Sequence, residues 1–471
     1  MFNLMLAEWT VNANQMLIGL MIGVVVLILL VTMTKLPAFL AIIVSALLIA
    51  LIGGVPGDAV PGLITDGFGG TLGTIGIIIG FGVVMGRIFE VSGAAEQMAR
   101  AFIKLFGKGR EELALTITGF IISIPIFCDS AFVILFPISK AISQKTRKNL
   151  VVLAGALAMG LVVTHSVVPP TPGPLFVAET FGVNLGLMIM WGLLLSIPMV
   201  TAGVLWIRYV GKNLIIVPDE EGNHVRLDVA DKNIADFDLS EEPSKDLPST
   251  FMSFAPIAVP IFLILLNQVL DGFANLSGFW AEFFGFVGSP VPAVAFGVII
   301  AIYGLGYNMD RETALTRMQE GMRSAGVILL VTGAGGALGN VIQTTGVGDT
   351  IAQGIADWGI PALLVPFFIS TIIRFIQGSG TVALVTSATI SAPILSSLDV
   401  SPVFAALAAM VGSIFFGYFN DSYFHVVNRS IGIRAPKDQL KFWSGATTAA
   451  WAAGFITVVI LNAIFGGFVG V

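Results

Sequence analysis

The chain has few charged residues and almost no cysteine. Asp, Glu, Lys and Arg together make up 11% of its 471 residues, which is too small a share to cover the surface of a soluble protein of this length. The single cysteine, Cys128, excludes an internal disulfide. No spacing of cysteine and histidine resembles a metal site, so we expect neither a metal nor a cofactor. We also expect no nucleic-acid partner.

Hydrophobic residues dominate the composition. They make up 56% of the chain, and apolar runs of about 20 residues, the length that crosses a bilayer, recur along it. The sequence therefore predicts an all-α integral membrane protein. We predict ten spans, at about residues 14–34, 36–53, 70–90, 150–180, 184–207, 252–270, 282–305, 324–343, 402–430 and 443–469.

Basic residues are missing from every second gap between these spans. The gaps without Lys or Arg lie near 54–69, 181–184, 271–281, 344–359 and 398–401. Because short cytoplasmic loops collect Lys and Arg, these gaps are predicted to face outward, and so are both termini. One basic residue breaks the pattern. Arg374 lies inside the apolar stretch 360–398, where a charge is costly and usually functional.

One segment carries the net negative charge. The whole chain has a formal charge of −6, and residues 213–250 contain ten acidic and three basic residues. Such a segment buries little apolar surface, so we predict a solvated acidic linker between two halves. It lies on the side of the basic gaps, which makes it cytoplasmic.

Two further segments are predicted to be re-entrant hairpins. Residues 113–139 are about one span long, yet basic residues flank both ends. Residues 360–398 have acidic flanks and no base nearby. Pro125 and Gly378-Ser379-Gly380 supply the turns, and irregular backbone at membrane depth survives only when buried or lining a watery cavity. The first hairpin is predicted to enter from the cytoplasm and the second from outside.

The two hairpins belong to an internal repeat. At an offset of about 251 to 255 residues, Pro37-Ala38 aligns with Pro292-Ala293, and Gly80–Gly86 aligns with Gly333–Gly339. Five predicted spans separate corresponding points, so the second copy is predicted to be inverted. We predict repeats at 1–212 and 251–471, each with five transmembrane helices and one re-entrant hairpin. Inverted repeats with broken segments are typical of secondary transporters.

The repeat places four helix interruptions at corresponding positions. They contribute, in chain order, Asp129 and Ser130, His165 and Thr171, Ser379, Gly380 and Thr381, and Asn420, Asp421 and Ser422. Transporters of this kind hold substrate and coupling ion at the repeat interface near the midplane. Half-helix N-termini at the breaks offer N–H groups and positive dipole ends to an anion. We therefore expect the four breaks to converge on an anion site.

Each candidate residue has a structural interpretation beside the functional one. Arg374 either receives a substrate carboxylate, which suits its planar fork, or forms a structural ion pair with Asp129 or Asp421. The two aspartates either carry protons or bind substrate hydroxyls, or they cap half-helices. His165 either transfers protons or binds a carbonyl freed by the neighbouring prolines. The short polar residues either contact substrate or satisfy loose backbone groups.

Four motifs resemble those of a known family. They are THSVVPPTPGP (164–174), FCDSAFVILFP (127–137), IRFIQGSGTVA (373–383) and FNDSYF (419–424). These segments resemble signatures of the gluconate permease family, which are gluconate:proton symporters of bacterial inner membranes, and the resemblance runs from about residue 16 to the C-terminus. It implies the paired hairpins of the ion transporter superfamily, a homodimer, and substrates such as gluconate, other sugar acids or D-serine.

Two positions depart from the pattern of that family. It often has Tyr-Glu where Cys128-Asp129 stand here, and His where Thr171 stands. These departures make a smaller hydroxy acid such as glycerate a candidate substrate beside gluconate.

The sequence thus predicts a secondary active transporter that imports a small hydroxylated organic acid anion by proton symport. Asp129, Asp421 and His165 are the predicted proton carriers. A sodium-coupled carboxylate or D-amino acid transporter is the main alternative, because the breaks supply hard oxygen ligands. A membrane-embedded hydrolase would need Ser166 with His165 and Asp129, without a nucleophile elbow. A passive channel would not need ionisable groups at the midplane.

Overall fold

The computed structural model describes residues 12–107, 109–219, 224–227, 247–273, 277–306, 309–345, 350–351, 357 and 361–467. In the first half the helices are α1 (Ala13–Met33), α2 (Ala38–Ile52), α3 (Val60–Ser92), α4 (Ala94–Phe106), α5 (Glu111–Ile122), α6 (Cys128–Thr146), α7 (Leu150–Val167), α8 (Pro172–Thr180) and α9 (Leu185–Gly211). Two short strands follow, β1 (Ile215–Pro218) and β2 (His224–Leu227).

The second half is also helical. Its helices are α10 (Thr250–Phe273), α11 (Phe279–Val287), α12 (Pro290–Ile300), α13 (Arg311–Thr344), α14 (Leu364–Gln377), α15 (Gly380–Leu395), α16 (Pro402–Gly412), α17 (Ser422–Ile431), α18 (Pro436–Gln439) and α19 (Gly445–Phe465). Two π-helical turns, Ala301–Leu305 and Leu440–Ser444, join the helices on either side of them.

Several described helices are long and apolar enough to cross a bilayer. Six pass this test, and a seventh is added when α11 and α12 are taken as one bent span. The chain is therefore a mostly helical, multi-pass protein. The count of ten spans stays a prediction, because some predicted spans contain shorter apolar helices; the predicted span 36–53, for example, holds the 15-residue α2.

The predicted span 282–305 is not one straight helix. α11 and α12 meet at a bend of 61°. Gly288 ends α11, Ser289 is extended, and Pro290 begins α12. A proline lacks the N–H that would continue the first helix, so the chain restarts at this point.

The first predicted hairpin consists of two helices, and the start of the first helix lies beside the end of the second. α5 and α6 are joined by the short non-helical segment around Pro125. Lys148, just after α6, forms an ion pair with Glu111 at the start of α5, and the Ser143 hydroxyl donates to the Lys148 carbonyl. The segment therefore returns to the place where it began, as a re-entrant hairpin requires.

The second predicted hairpin has the same construction. α14 and α15 are separated by Gly378 and Ser379. The Ser387 hydroxyl donates to the Pro366 carbonyl over 2.8 Å and joins the two arms. Gly378 has a φ of 86°, a left-handed conformation that favours glycine. The chain reverses direction at Gly378, so α15 runs back alongside α14.

Glycines let helix backbones approach closely at two crossings. A methyl group on Gly67 of α3 would lie 2.6 Å from the Gly336 carbonyl oxygen of α13. A methyl group on Gly160 of α7 would lie 2.3 Å from the Thr116 carbonyl oxygen of α5. The first crossing joins the two longest helices. The second fixes the first hairpin against α7, whose residues are almost all buried.

Gly160→Ala should destabilise the protein. The added methyl would collide with the α5 backbone rather than with a flexible side chain, and overpacking of this kind costs about 1–3 kcal/mol. The matched control is Gly73→Ala in α3, where a methyl would meet nothing within 4 Å. Thermal unfolding in detergent should show a lower Tm for Gly160→Ala only. Equal Tm values for the two variants would contradict the observed α5–α7 packing.

The beginning of the predicted linker 213–250 is folded. β1 pairs antiparallel with β2, and the three β1 residues Ile215, Ile216 and Val217 are buried. The Asn149 side chain at the start of α7 donates to the carbonyls of Gly211 and Leu214. Most of the acidic residues of the segment, in 228–246, lie outside the described residues.

Candidate functional site

Four helix breaks surround a cavity of about 280 Å³. The breaks lie between α5 and α6, α7 and α8, α14 and α15, and α16 and α17. The predicted site residues that line the cavity are Asp129, His165, Arg374, Ser379, Gly380, Thr381, Asn420, Asp421 and Ser422. The structure thus brings together residues from both halves of the chain, as the predicted convergence of the breaks requires.

The N-terminal ends of four helices reach this cavity. α6 begins at Cys128, α8 at Pro172, α15 at Gly380 and α17 at Ser422, and residues of each first turn are in the lining. The first N–H groups of a helix have no partner inside the helix, and the macrodipole is positive at that end. Pro172 and Pro174 lack an N–H, and side chains already cap α15 and α17. What the four ends share is the positive end of the dipole, which favours a negatively charged group.

Arg374 is buried and paired at this site. Its Nη2 lies 2.6 Å from Oδ2 of Asp421, and both side chains are almost fully enclosed. The other carboxylate oxygen of Asp421 accepts from the backbone N–H of Tyr423, so Asp421 also caps α17. Nε of Arg374 has no hydrogen-bond acceptor among the residues that the structure describes. Within the described chain, Nε is therefore a buried donor without an acceptor, in a residue that lines the cavity.

Asp129 faces the cavity without a cationic partner in the described part of the chain. Its contacts are weaker than those of Asp421. The Ser422 hydroxyl donates to it over 3.4 Å, and the Cys128 thiol lies 3.8 Å away. The Ser422 contact joins the first hairpin to the last broken segment. An aspartate with so few partners is available to a proton, a substrate hydroxyl or a cation.

The second hairpin tip is held by the α16–α17 break. The Asn420 amide donates to the carbonyls of Phe375 and Ile376 over 3.1 and 3.3 Å. Its backbone approaches Gly378 so closely that a methyl group there would lie 2.3 Å from the Asn420 carbonyl oxygen. The Ser379 hydroxyl accepts from the N–H of Val382 and caps α15. Asn420 and Ser379 thus shape the backbone while lining the cavity.

Two predicted site residues do not line this cavity. The Thr171 hydroxyl donates to the carbonyls of Val168 and His165 over 2.8 and 3.0 Å, which satisfies backbone groups left by the prolines. Ser130 lines a separate cavity of about 320 Å³ together with Arg87 and Glu320. Its side chain points away from Asp129 because adjacent residues of a helix face different directions.

The cavity of about 320 Å³ reveals an arginine that the charge pattern did not single out. Arg87 of α3 forms ion pairs with Glu90 over 2.7 Å and with Glu320 of α13 over 2.5 Å. Arg87 lies near the end of α3 and is about a quarter exposed. Arg87 therefore joins α3 to α13 through a partly exposed ion pair, in contrast with the buried Arg374.

Two polar residues of the main cavity, Gln377 and Ser413, had no role in the sequence analysis. Gln377 lines it, and its side-chain oxygen accepts from the N–H of Ser379. Its position beside the Gly-Ser-Gly turn was a usable signal. Ser413 lies at the end of α16, eight residues before Asp421, and nothing in the local sequence marks it as facing the same space.

A larger cavity of about 690 Å³ lies elsewhere and has a different character. It is bounded by α3, α8, α13, α15 and α16, and its charged lining residues are Asp66 and Glu179. An anion would meet two carboxylates there and no base among the described lining residues. The smaller cavity also has two carboxylates, Asp129 and Asp421, but it adds Arg374 and four helix N-termini, so it is the better anion site. Within the described residues no group of His, Cys, Asp and Glu is arranged to hold a metal.

Comparison with known proteins decides the family. The model of the GntP family permease matches residues 15–464. The chain belongs to the GntP permease family. It is similar to an uncharacterized permease of Haemophilus influenzae, with 46% identity over 96% of this chain and 93% of that protein. It is also similar to a gluconate permease of Pseudomonas aeruginosa, with 28% identity over 95% and 98%. A D-serine transporter of Escherichia coli is 29% identical over 94% and 98%.

The fold of this GntP family member is similar to that of a solved transporter. The YdaH transporter of Alcanivorax borkumensis aligns with a TM-score of 0.65 at 13% identity, covering 91% of this chain and 98% of that one. The membership makes this chain a permease and not an enzyme. Ser166, His165 and Asp129 therefore line a transport protein's cavity rather than forming a hydrolytic triad.

Proposed function

We propose that this GntP family permease is a secondary active transporter that imports a small hydroxylated organic acid anion together with a proton. The observation that carries the proposal is the buried Arg374, whose Nε is unused, beside a cavity at four helix N-termini. A carboxylate is the group that a guanidinium edge binds best. Gluconate-like sugar acids and glycerate are the proposed substrates, and the bacterial inner membrane is the proposed location.

The charges around the cavity support proton coupling. Arg374 and Asp421 neutralise each other, whereas Asp129 has no cationic partner within the described chain. A monoanion entering would place a second negative charge beside Asp129 at membrane depth, where unpaired charges are costly. One proton on Asp129 removes that repulsion. It also cancels the substrate charge, which is otherwise opposed by about 2.3 kcal/mol per 100 mV in a cell that is negative inside.

Of the three predicted proton carriers, Asp129 has the strongest support. Asp421 is engaged by Arg374 and by the N–H of Tyr423. Nδ1 of His165 has no partner among the described residues, and its ring packs against Phe127 at 5.4 Å between centroids. His165 is therefore placed to pass a proton only after a rearrangement. We assign the coupling proton to Asp129.

A D-serine-like zwitterion is the second candidate substrate. A relative named as a D-serine transporter supports it, and so does the unpaired Asp129, which is suited to an ammonium group. The two candidates are separable by counterflow in proteoliposomes against gluconate, glycerate and D-serine. If D-serine alone exchanges, the substrate class proposed here is wrong. A need for sodium in the same vesicles would favour the sodium-coupled alternative, which the oxygen-rich breaks also suit.

The transport mechanism we propose uses two inverted repeats, 1–212 and 251–471, with both termini outside and the linker 213–250 in the cytoplasm. On a Cys128→Ser background, single cysteines at Asp58 and Asp399 should react with an impermeant maleimide in intact cells. A cysteine at Lys437 should react only after permeabilisation, because the positive-inside rule places it in the cytoplasm. Mass measurement in detergent should give the homodimer that the resemblance implies.

The first hairpin has its own labelling test. Cysteines at Glu112 and at the exposed Ala141, near its two ends, should react from the same side, since Glu111 and Lys148 are paired. Reaction of these two positions from opposite faces would show that the segment crosses the membrane.

A further inference from the structure

Three polar groups surround the backbone of Gly417, in the break between α16 and α17. A methyl group on Gly417 would lie 3.1 Å from Nη2 of Arg374, 3.2 Å from Oδ2 of Asp421 and 3.2 Å from Nε1 of Trp443. The first two atoms form the buried ion pair. The third is an indole donor that comes from the π-helical turn Leu440–Ser444. The glycine leaves these groups a shared space that any side chain would fill.

The indole of Trp443 is fixed but has no hydrogen-bond partner. The side chain is fully buried, and Tyr423 packs edge-on against it at 5.4 Å between ring centroids. Next to it, the Ser444 hydroxyl donates to the Gly417 carbonyl, and the Gly417 N–H donates to the Thr447 hydroxyl. Nε1 of Trp443 has no acceptor within the described part of the chain. A buried donor without an acceptor is unfavourable, and this one borders the same Gly417 position as Oδ2 of Asp421.

The guanidinium geometry indicates how a substrate carboxylate would bind. Nε and one N–H of Nη2 lie on the same edge of an arginine, and a carboxylate that binds this edge takes both donors. Here Asp421 holds Nη2, and Nε is empty. A substrate carboxylate on this edge brings a second negative charge against Oδ2 of Asp421, which lies 2.6 Å from Nη2, and the repulsion favours movement of Asp421 away from the arginine. An Asp421 oxygen that moves away would be a buried charge without a partner unless another donor takes it.

We propose that Trp443 is a positioning residue for substrate binding. When the substrate carboxylate takes Nε and Nη2 of Arg374, the Asp421 carboxylate turns to the indole N–H of Trp443 across the space kept open by Gly417. This proposal rests on the proposed function, because it needs a carboxylate at Arg374. It assigns to Trp443 a hydrogen bond that exists only in the loaded state, so the residue acts through Asp421 and does not touch the substrate.

The variant Trp443→Phe tests the proposal by function. Phenylalanine keeps an aromatic ring against Tyr423 and removes the N–H together with the rest of the five-membered ring. Because Trp443 is fully buried, the smaller side chain leaves a cavity, so the Tm without ligand should fall as it does for another buried Trp→Phe substitution. The KM for D-gluconate in proteoliposomes should rise about tenfold, the effect of losing a hydrogen bond to a charged group, with the maximal rate little changed. The matched control is Trp191→Phe, since Trp191 is also buried with an unpaired indole nitrogen but packs on Phe404 and Phe465.

Comparing the two variants distinguishes a packing role of Trp443 from the proposed positioning role. If Trp443 is only a packing residue, Trp443→Phe and Trp191→Phe should change the Tm and the KM alike. A wild-type KM in Trp443→Phe would overturn the proposal.

A second measurement needs no substrate. The chain has seven tryptophans, and the indole ¹⁵N–¹H signal of Trp443 is identified by its absence in Trp443→Phe. In Arg374→Gln without ligand, Asp421 loses its ion-pair partner, so the Trp443 proton signal should move downfield as the indole binds the carboxylate. In Arg374→Gln/Asp421→Ala the signal should return. The Trp443 signal could move in these variants while wild-type protein fails to bind D-gluconate. That result would support the hydrogen bond from Trp443 to Asp421 and would contradict the proposed substrate class.

The wild-type protein provides the same readout if Arg374→Gln does not fold. Saturating D-gluconate should move the Trp443 signal downfield and leave the Trp191 signal in place. A Trp443 signal that stays fixed while D-gluconate binds would overturn the proposal, because the acceptor predicted for the loaded state would then be absent.

Discussion

Arg374→Lys should weaken binding of a carboxylate substrate by roughly tenfold to a hundredfold while the protein stays folded. Lysine keeps the positive charge beside Asp421, which lies 2.6 Å from Nη2 in the structure. It lacks the second donor of the guanidinium edge, so the Nε donor that has no acceptor among the described residues is lost. Thermal-shift titration with gluconate and glycerate measures the affinity, and the Tm without ligand reports the fold.

Arg208→Lys is the matched control for this substitution. Arg208 pairs with Glu112 over 2.7 Å on the exposed end of α9, and exposed pairs contribute little to stability. The variant Arg208→Lys should leave both the affinity for gluconate and glycerate and the Tm unchanged.

A neutral pair separates the structural role of Arg374 from the binding role. Arg374→Gln alone leaves Asp421 as a buried charge without its ion-pair partner, which is strongly destabilising. Arg374→Gln/Asp421→Asn removes both charges and should recover much of the Tm. Binding should remain absent in the double variant if Arg374 holds the substrate. Recovery of binding together with stability would show that the arginine is structural.

Asp129→Asn should give a carrier that exchanges substrate but no longer concentrates it. Asparagine has nearly the shape of a protonated aspartate, and the cavity contacts of Asp129 are a hydroxyl and a thiol that it can keep. Counterflow should therefore persist. Accumulation driven by a pH gradient should disappear, whereas wild-type protein at one proton per substrate gains up to about tenfold accumulation per pH unit.

Asp438→Asn is the comparison for Asp129. Asp438 pairs with Arg226 of the β-hairpin over 2.8 Å, away from the cavity. It should concentrate substrate as the wild type does. If Asp129→Asn also concentrates substrate normally, the proton is carried elsewhere, and His165 would be the next residue to substitute.

The backbone breaks were the most predictable part of the site. Proline and glycine act on their own chain segment, so Pro169-Pro170, Gly378-Ser379-Gly380 and the turn at Pro125 mark helix ends without knowledge of the fold. The predicted repeat then relates the breaks in pairs. These two signals were enough to bring nine of the predicted residues to one cavity.

Side-chain directions were not predictable in the same way. Ser130 follows Asp129 directly but faces the cavity beside Arg87, and the Thr171 hydroxyl donates to nearby backbone carbonyls. The choice of Asp421 rather than Asp129 as the partner of Arg374 depends on how α14 and α17 pack. Contacts of this kind join residues far apart in the chain, so local sequence leaves several partners open.

Two features had sequence signals whose meaning depended on tertiary structure. The apolar run Leu214–Val217 indicates a strand, but its burial against α6 and α7 required the fold. Gly288-Ser289-Pro290 is a helix-breaking sequence, yet the hydropathy of 282–305 suggested one continuous span. Trp443 carried no signal, because its position beside Asp421 depends on the π-helical turn that precedes α19.

We propose that a proton gradient drives a carboxylate through the cavity of Arg374 and Asp129. The most direct test of this claim uses purified protein in sodium-free proteoliposomes, with an acid exterior and the membrane potential clamped at zero. Labelled gluconate and glycerate are supplied outside. We predict accumulation above equilibrium that collapses when the pH gradient is dissipated and is absent in Asp129→Asn. Accumulation that requires sodium and is indifferent to the pH gradient would contradict the claim.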